Sequence, residues 1–172
     1  MRMTVFVVGG LFLMSGLAYA QTNPQTAKAT LANAQREPVG TATLTEMKGG
    51  VQISLKLTKL PPGTHALHIH EVDQCDPPDF KSAGGHFNPY GKKHGVKNPL
   101  GHHAGDLPNI VVGPDGTAAT QLMAAGVTLG TGTNSLFHLG GTSLVIHASP
   151  DDDRTDPAGN AGARIACGVI TQ

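Results

Sequence analysis

The segment His65-Ala66-Leu67-His68-Ile69-His70 admits few local structures. As a strand it throws Leu67 and Ile69 to one face and His68 and His70 to the other, because side chains alternate at period two. The aliphatic pair can then enter a core while two imidazoles stand together outside it. Thr142–His147 repeats the device: Leu144 and Ile146 share a face, and His147 ends the strand on the opposite one. A lone surface histidine is usually a solvated side chain. Two at this spacing form half of a metal site, and spacing alone leaves the two readings level.

The frame around these segments is also β. Thr41–Glu46 is β-prone, Lys48-Gly49-Gly50 is a turn, and Val51–Leu57 alternates apolar and polar residues, which reads as a hairpin with one buried face. Ile110–Val112 and Thr117–Ala124 flank Gly113-Pro114-Asp115-Gly116, a second hairpin signal. Ala163–Ile170 is the last strand. Short strands, 23 glycines, 12 prolines and no tryptophan indicate an all-β antiparallel sandwich or barrel. No helix-period segment exceeds a turn or two. Glu71–Leu107 and Ala148–Asn160 lack strand character and read as two long loops inserted on the frame.

Gly84–Asp106 holds four of the nine histidines and closes on a carboxylate. Within it His86, His94, His103 and Asp106 offer three nitrogens and one oxygen, a set typical of structural zinc. The His-x-x-Asp spacing favours His103 over His102, which reads as an exposed bystander. The three strand histidines plus one from the loop would make the nitrogen-only set that suits copper. His138 lies outside every motif and has no assigned role.

Met1–Ala20 reads as a cleavable export signal: Arg2, an apolar run from Val5 to Leu17, and the small-x-small site Ala18-Tyr19-Ala20. The run is short for a membrane anchor, and no cysteine follows the cleavage site to accept a lipid. The destination is periplasmic or secreted, with no membrane association once the signal is removed. In that oxidising setting the two cysteines, Cys75 and Cys167, suggest one disulfide rather than two unrelated buried thiols. Gln21–Glu37 has no apolar period and reads as a flexible lead-in, so the domain is expected to span 39–172, after a flexible segment over 21–38. Twelve basic residues balance twelve acidic ones, and nothing points to a nucleic-acid partner.

The motifs GTHALHIHE (63–71), AGGHFNP (83–89), KHG (93–95), HAGD (103–106), LVIH (144–147) and GNAGARIACGVI (159–170) together resemble the copper,zinc superoxide dismutase family, of the bacterial exported type. They run in the family's order from about Gly40 to the C-terminus. The resemblance implies an eight-stranded Greek-key β-barrel with two long functional loops. It implies copper on His68, His70, His86 and His147, and zinc on His86, His94, His103 and Asp106, with His86 bridging the metals. Arg164 falls on the family's substrate-guiding arginine, Asp151 on the carboxylate linking the two ligand sets, Cys75–Cys167 on its disulfide, and His65 on a structural histidine. The implied activity is dismutation of superoxide to dioxygen and hydrogen peroxide by alternate reduction and reoxidation of copper, with zinc structural. A homodimer is among the assemblies the family adopts.

Two departures carry expectations. Gly85 stands where animal relatives often have proline, which should loosen the backbone before His86 while keeping the ligand. The loop before Arg164 carries Asp151, Asp152, Asp153 and Asp156 against Arg154, a poor attractor for an anion. Lys92, Lys93 and Lys97 would then be left to supply the field. Two other readings use the same ligands: an exported, non-enzymatic copper- or zinc-binding protein, and a purely structural zinc domain. A simple carrier needs neither Arg164 nor a shared His86. A zinc domain would leave the strand histidines without a metal.

Overall fold

A computed structural model describes residues 25–172, so the signal assigned to Met1–Ala20 lies outside the described residues. Nine strand segments follow in order: β1 (Thr26–Asn33), β2 (Pro38–Met47), β3 (Gly50–Leu57), β4 (Gly63–His65), β5 (Leu67–His70), β6 (Ile110–Val112), β7 (Ala118–Ala125), β8 (Ser143–His147) and β9 (Arg164–Val169). All named strand pairs are antiparallel, and the main sheet runs β5-β8-β9-β1-β2-β3-β7. β4 and β5 are two halves of one strand interrupted at Ala66. The first half pairs with β6, which passes through the Gly113–Gly116 turn into β7 at the far end of the sheet. The bent strand thus joins the two ends of the sheet and gives an eight-stranded, all-β Greek-key barrel.

Alternation in the sequence explains the lining. Val51, Ile53, Leu55 and Leu57 of β3 are all buried, as are Leu44 of β2, Leu67 and Ile69 of β5, and Leu144 and Ile146 of β8. Met47 pairs with Gly50 across the β2–β3 turn, and Gly49 takes the positive φ (94) that the second central residue of a type II turn requires. A smaller apolar cluster of Phe80, Ala83, Val145 and Cys167 sits on the outer face of β8 and β9, under the first long loop.

The start of the barrel corrects one expectation. Thr26–Asn33 is a full strand, not a flexible lead-in, and it pairs with β2 along its length and with β9 at its end. Its inward residues are Ala27, Ala29 and Leu31. Alanine contributes so little apolar surface that its alternation with threonine and lysine carries almost no hydrophobic period.

Two of the long connections between strands, 71–109 and 148–163, cover the strand histidines, and a third, 126–142, links β7 to β8. The first holds one 3-10 turn, Lys81–Ala83. It lies along β5 through bridges pairing His70 with His86 and His68 with Asp106. Cys75 and Cys167 form a disulfide that ties this loop to β9.

Candidate metal centre

β5 and β8 are adjacent, with His68 opposite Val145 and Leu67 opposite Ile146, so His68, His70 and His147 meet on the barrel's outer face. They are not exposed there. Every residue of β5 and β8 is buried, because the two loops cover the imidazoles that the strands turn away from the core. His86 enters from the first loop, its ring centroid 3.9 Å from that of His68 and 5.0 Å from that of His70.

Each of these four rings has one nitrogen committed and one orphaned. His68 donates through Nε2 to Asp151 Oδ2 at 2.7 Å, His70 through Nδ1 to the Gly84 carbonyl at 3.0 Å, and His147 through Nδ1 to the Gly162 carbonyl at 3.3 Å. His86 places Nδ1 2.8 Å from Asp106 Oδ1. The remaining atoms, Nδ1 of His68 and Nε2 of His70, His86 and His147, are buried without a hydrogen-bond partner, and the four residues each offer a ligand atom within 4.8 Å of the others. A buried polar atom left unpaired costs about 1–3 kcal/mol. Four such atoms converging on one point are accounted for by a cation bound among neutral imidazoles.

A second cluster lies on the other side of His86. Nδ1 of His94 and of His103 are each 3.1 Å from Asp106 Oδ1, and Nδ1 of His103 is 3.4 Å from Nδ1 of His86. A tetrahedral zinc with bonds of about 2.0 Å would set ligand-to-ligand edges of about 3.3 Å, so these four buried groups have the right size and donor types. His86 is the one residue common to both sets, Nε2 facing one and Nδ1 the other.

Asp151 joins the two clusters. Oδ2 accepts from His68, and Oδ1 lies 3.0 Å from His94 Nε2. Asn109 holds it: the Asp151 amide donates to Asn109 Oδ1 at 2.8 Å and Asn109 Nδ2 donates back to the Asp151 carbonyl at 2.9 Å. Gly159, with φ +60, passes so close that a Cβ there would strike both Asp151 and His94. Nothing in the sequence marked Asn109, because a clamp formed across 42 residues leaves no local pattern.

Electrostatics follow from this packing. Burial pushes the His86 imidazole down to about 4, against the pull of Asp106, and pushes His147 down to about 3. His70 falls well below its ordinary value, again through burial, then through the neighbouring His86 and Arg164. His94 goes the other way. Burial opposes its charge, yet bonds to Asp106 and Asp151 raise it to about 10. Burial also opposes ionisation of Asp106 and Asp151. Bonds from His103, His86 and His94 hold the first far below the usual carboxylate range, and bonds from His68 and His94 do the same for the second.

Arg164, half-buried at the start of β9, pairs with His147 across the β8–β9 ladder. Its Nη1 donates to the Phe80 carbonyl at 2.6 Å and its Nη2 to the Gly84 carbonyl at 2.7 Å. It lines a cleft with Pro78, Asp79, Lys81, Gly162 and Ala163. His65 is buried, each ring nitrogen 2.8 Å from a carbonyl, that of His147 or of Pro61. His102 is exposed, as expected. His138, given no role, stacks on Phe87 at 5.1 Å between ring centroids.

Two expectations change. Gly85 does not loosen the chain: its amide donates to Glu71 Oε1 at 3.1 Å, while its carbonyl accepts from the Glu71 amide at 3.0 Å. Proline has no N–H and would lose the first bond. Lys93 and Lys97 are not free to supply a field. They pair with Asp156 at 3.1 Å and Asp153 at 2.5 Å, so of the three lysines Lys92 alone has no ion pair among the described residues.

Comparison with known proteins agrees with this geometry. Residues 39–170 match the family model "Copper/zinc superoxide dismutase (SODC)". A superoxide dismutase [Cu-Zn] of Aquifex aeolicus is 52% identical over 166 residues, covering 95% of this chain and 96% of the relative. Among solved structures, a SOD-like protein from Bacillus subtilis superposes with a TM-score of 0.80 at 40% identity, covering 83% of this chain and 96% of the other. The Cu/Zn superoxide dismutase from Brucella abortus gives 0.71 at 28% identity, covering 84% and 99%. With a family model spanning most of its length and a curated relative more than half identical across nearly all of it, the chain belongs to the copper/zinc superoxide dismutase family.

Proposed function

We propose that this chain is an exported superoxide dismutase, converting two superoxide anions and two protons to dioxygen and hydrogen peroxide. The observation that carries the reading is His86, whose two nitrogens face two separate buried donor sets beside a half-buried arginine. Copper would be held by His68, His70, His86 and His147, and zinc by His86, His94, His103 and Asp106. Copper would supply the one-electron couple, taking an electron from one superoxide and giving it to the next, while zinc is structural.

The chain's own residues do the rest. Arg164 offers positive charge and the N–H groups left over from its bonds to Phe80 and Gly84, which orient an anion entering the cleft. His86 keeps Nδ1 in the zinc set, so Nε2 is the atom that can take up a proton and deliver it to the reduced product. Asp151 and the carbonyls of Gly84 and Gly162 fix the rings of the copper set through their outer nitrogens. Export rests on the Met1–Ala20 pattern and fits the disulfide. Among the described residues no helix is long and apolar enough to cross a membrane.

Metal analysis of the mature protein, paired with a superoxide-consumption assay, tests the proposal. One copper and one zinc per chain with rapid consumption is expected. Zinc without copper after copper loading, and no activity, would refute it in favour of a metal-binding domain.

A further inference from the structure

The acidic run before Arg164 is hard to reconcile with attracting an anion, and each of its members has another occupation. Asp151 links His68 and His94. Asp152 accepts from the amides of Arg154 and Thr155 at 2.9 and 2.8 Å and from Asn160 Nδ2 at 2.9 Å, folding its own loop. Asp153 and Asp156 reach instead across to the first loop.

That first loop needs an anchor. Among the described residues, backbone-to-backbone bonds between Asn88 and Gly101 stay within the segment, except that the Lys97 amide donates to the Asp153 carbonyl at 3.1 Å. His94 sits in the middle of this stretch, with no strand to hold it. Its amide donates to Asp156 Oδ1 at 2.8 Å, and the other oxygen of the same carboxylate accepts from Lys93 Nζ at 3.1 Å. Lys97 adds its pair with Asp153. Gly95 (φ +100) permits the approach: a Cβ there would collide with the Asp153 carbonyl.

We propose that Asp156 is a positioning residue for His94, gripping the backbone of a zinc-holding histidine and the neighbouring Lys93 with one carboxylate, so that zinc retention depends on a surface ion pair. The inference rests on the zinc set proposed above. Lys93 and Asp156 are 58% and 42% exposed at their side chains, so dissolved salt screens the attraction between them. His68, His70 and His147, carried on paired strands, lack this sensitivity.

The test follows zinc transfer from the copper- and zinc-loaded protein to a chromogenic chelator at neutral pH and rising salt, with copper retention measured in parallel. Cobalt(II) substituted at the zinc position reports ligand geometry through its visible spectrum. Wild-type protein should release zinc faster as salt rises. Asp156→Ala should release it roughly tenfold faster at low salt, about the effect of one charge-assisted hydrogen bond, with a weaker salt response, an altered cobalt spectrum and copper retained. Asp156→Asn keeps an acceptor for the His94 amide but not the charge. It should preserve the cobalt spectrum and lose most of the salt response. Wild-type release rates and salt response in Asp156→Ala would overturn the proposal, as would equal loosening of both metals. Should Asp156→Ala fail to fold, an unchanged salt response in Asp156→Asn overturns it equally. Wild-type protein that binds no zinc would instead refute the zinc set itself.

Discussion

The Gly84 carbonyl lies 2.7 Å from Nη2 of Arg164, and the same oxygen accepts from Nδ1 of His70 at 3.0 Å. One backbone atom therefore orients an imidazole of the proposed copper set and the guanidinium beside it. The two cannot drift apart without breaking a bond in a half-buried site. Arg164→Ala removes charge and donors together while leaving every metal-set residue in place. Superoxide turnover should fall on the order of tenfold to a hundredfold, and its dependence on ionic strength should weaken, with both metals retained on analysis. Arg164→Lys, which restores charge without the planar fork, should fall between.

Among the described residues, Asp151 alone is bonded to a ring nitrogen in both donor sets through separate oxygens. Losing it frees His68 Nε2 and His94 Nε2 at once. Groups that orient metal-binding histidines typically contribute 10–100-fold in affinity, so Asp151→Ala should weaken copper and zinc together by about that factor. Competition with a chelator for each metal measures it. A loss confined to zinc would mean that the His68 bond is dispensable.

Of the two proposed sets, His147 belongs to the copper set alone. Among the described residues its Nε2 is orphaned and its Nδ1 is bonded only to the Gly162 carbonyl. His147→Ala should abolish superoxide consumption while zinc content stays near one per chain. Loss of zinc with activity retained would reverse the assignment of the two sets.

The strand histidines and their faces were legible because period two is local: His68, His70 and His147 could be placed from their own neighbours. In the loop, His86, His94, His103 and Asp106 were legible as a zinc-type donor set, but the sharing of His86 was legible only as a family pattern, since nothing in its spacing says that it serves two clusters. Residues that act through backbone atoms or across long separations left no mark. The Gly84 carbonyl, Asn109 and Asp156 belong to this class. β1 was missed for a different reason, because alanine is too small to write a hydrophobic period. The run Asp151–Asp156 looked like a repulsive loop because sequence gives charge without partners.

Cys75 and Cys167 close a loop of 92 residues. On the chain-entropy account a loop of this length stabilises the folded state by about 4–5 kcal/mol through restriction of the unfolded chain. Cys75→Ser with Cys167→Ser should lower the unfolding free energy of the metal-free protein by up to that amount, read from denaturant midpoints. The disulfide also pins the loop carrying Phe80 and Gly84, so the double variant should lose turnover as Arg164 loosens.

Metal-free protein should be most stable near pH 6.5. His86 and His147 are lowered to about 4 and about 3 by burial, below the unfolded value of about 6.5. The unfolded chain therefore binds protons that the folded one refuses, and stability falls as pH drops from 6.5 through 4 to 3. His94 has the opposite sign. Raised to about 10 by Asp106 and Asp151, it contributes stability that is complete below pH 6.5 and lost as pH climbs towards 10. Denaturant midpoints of the apo protein, with the disulfide intact, should trace a maximum between these flanks. Stability that rises as the solution is acidified from pH 6.5 to 4 would show that the buried imidazoles accept protons in the folded chain. Filling both donor sets with metal should flatten the alkaline flank, because His94 is then held by coordination rather than by a proton.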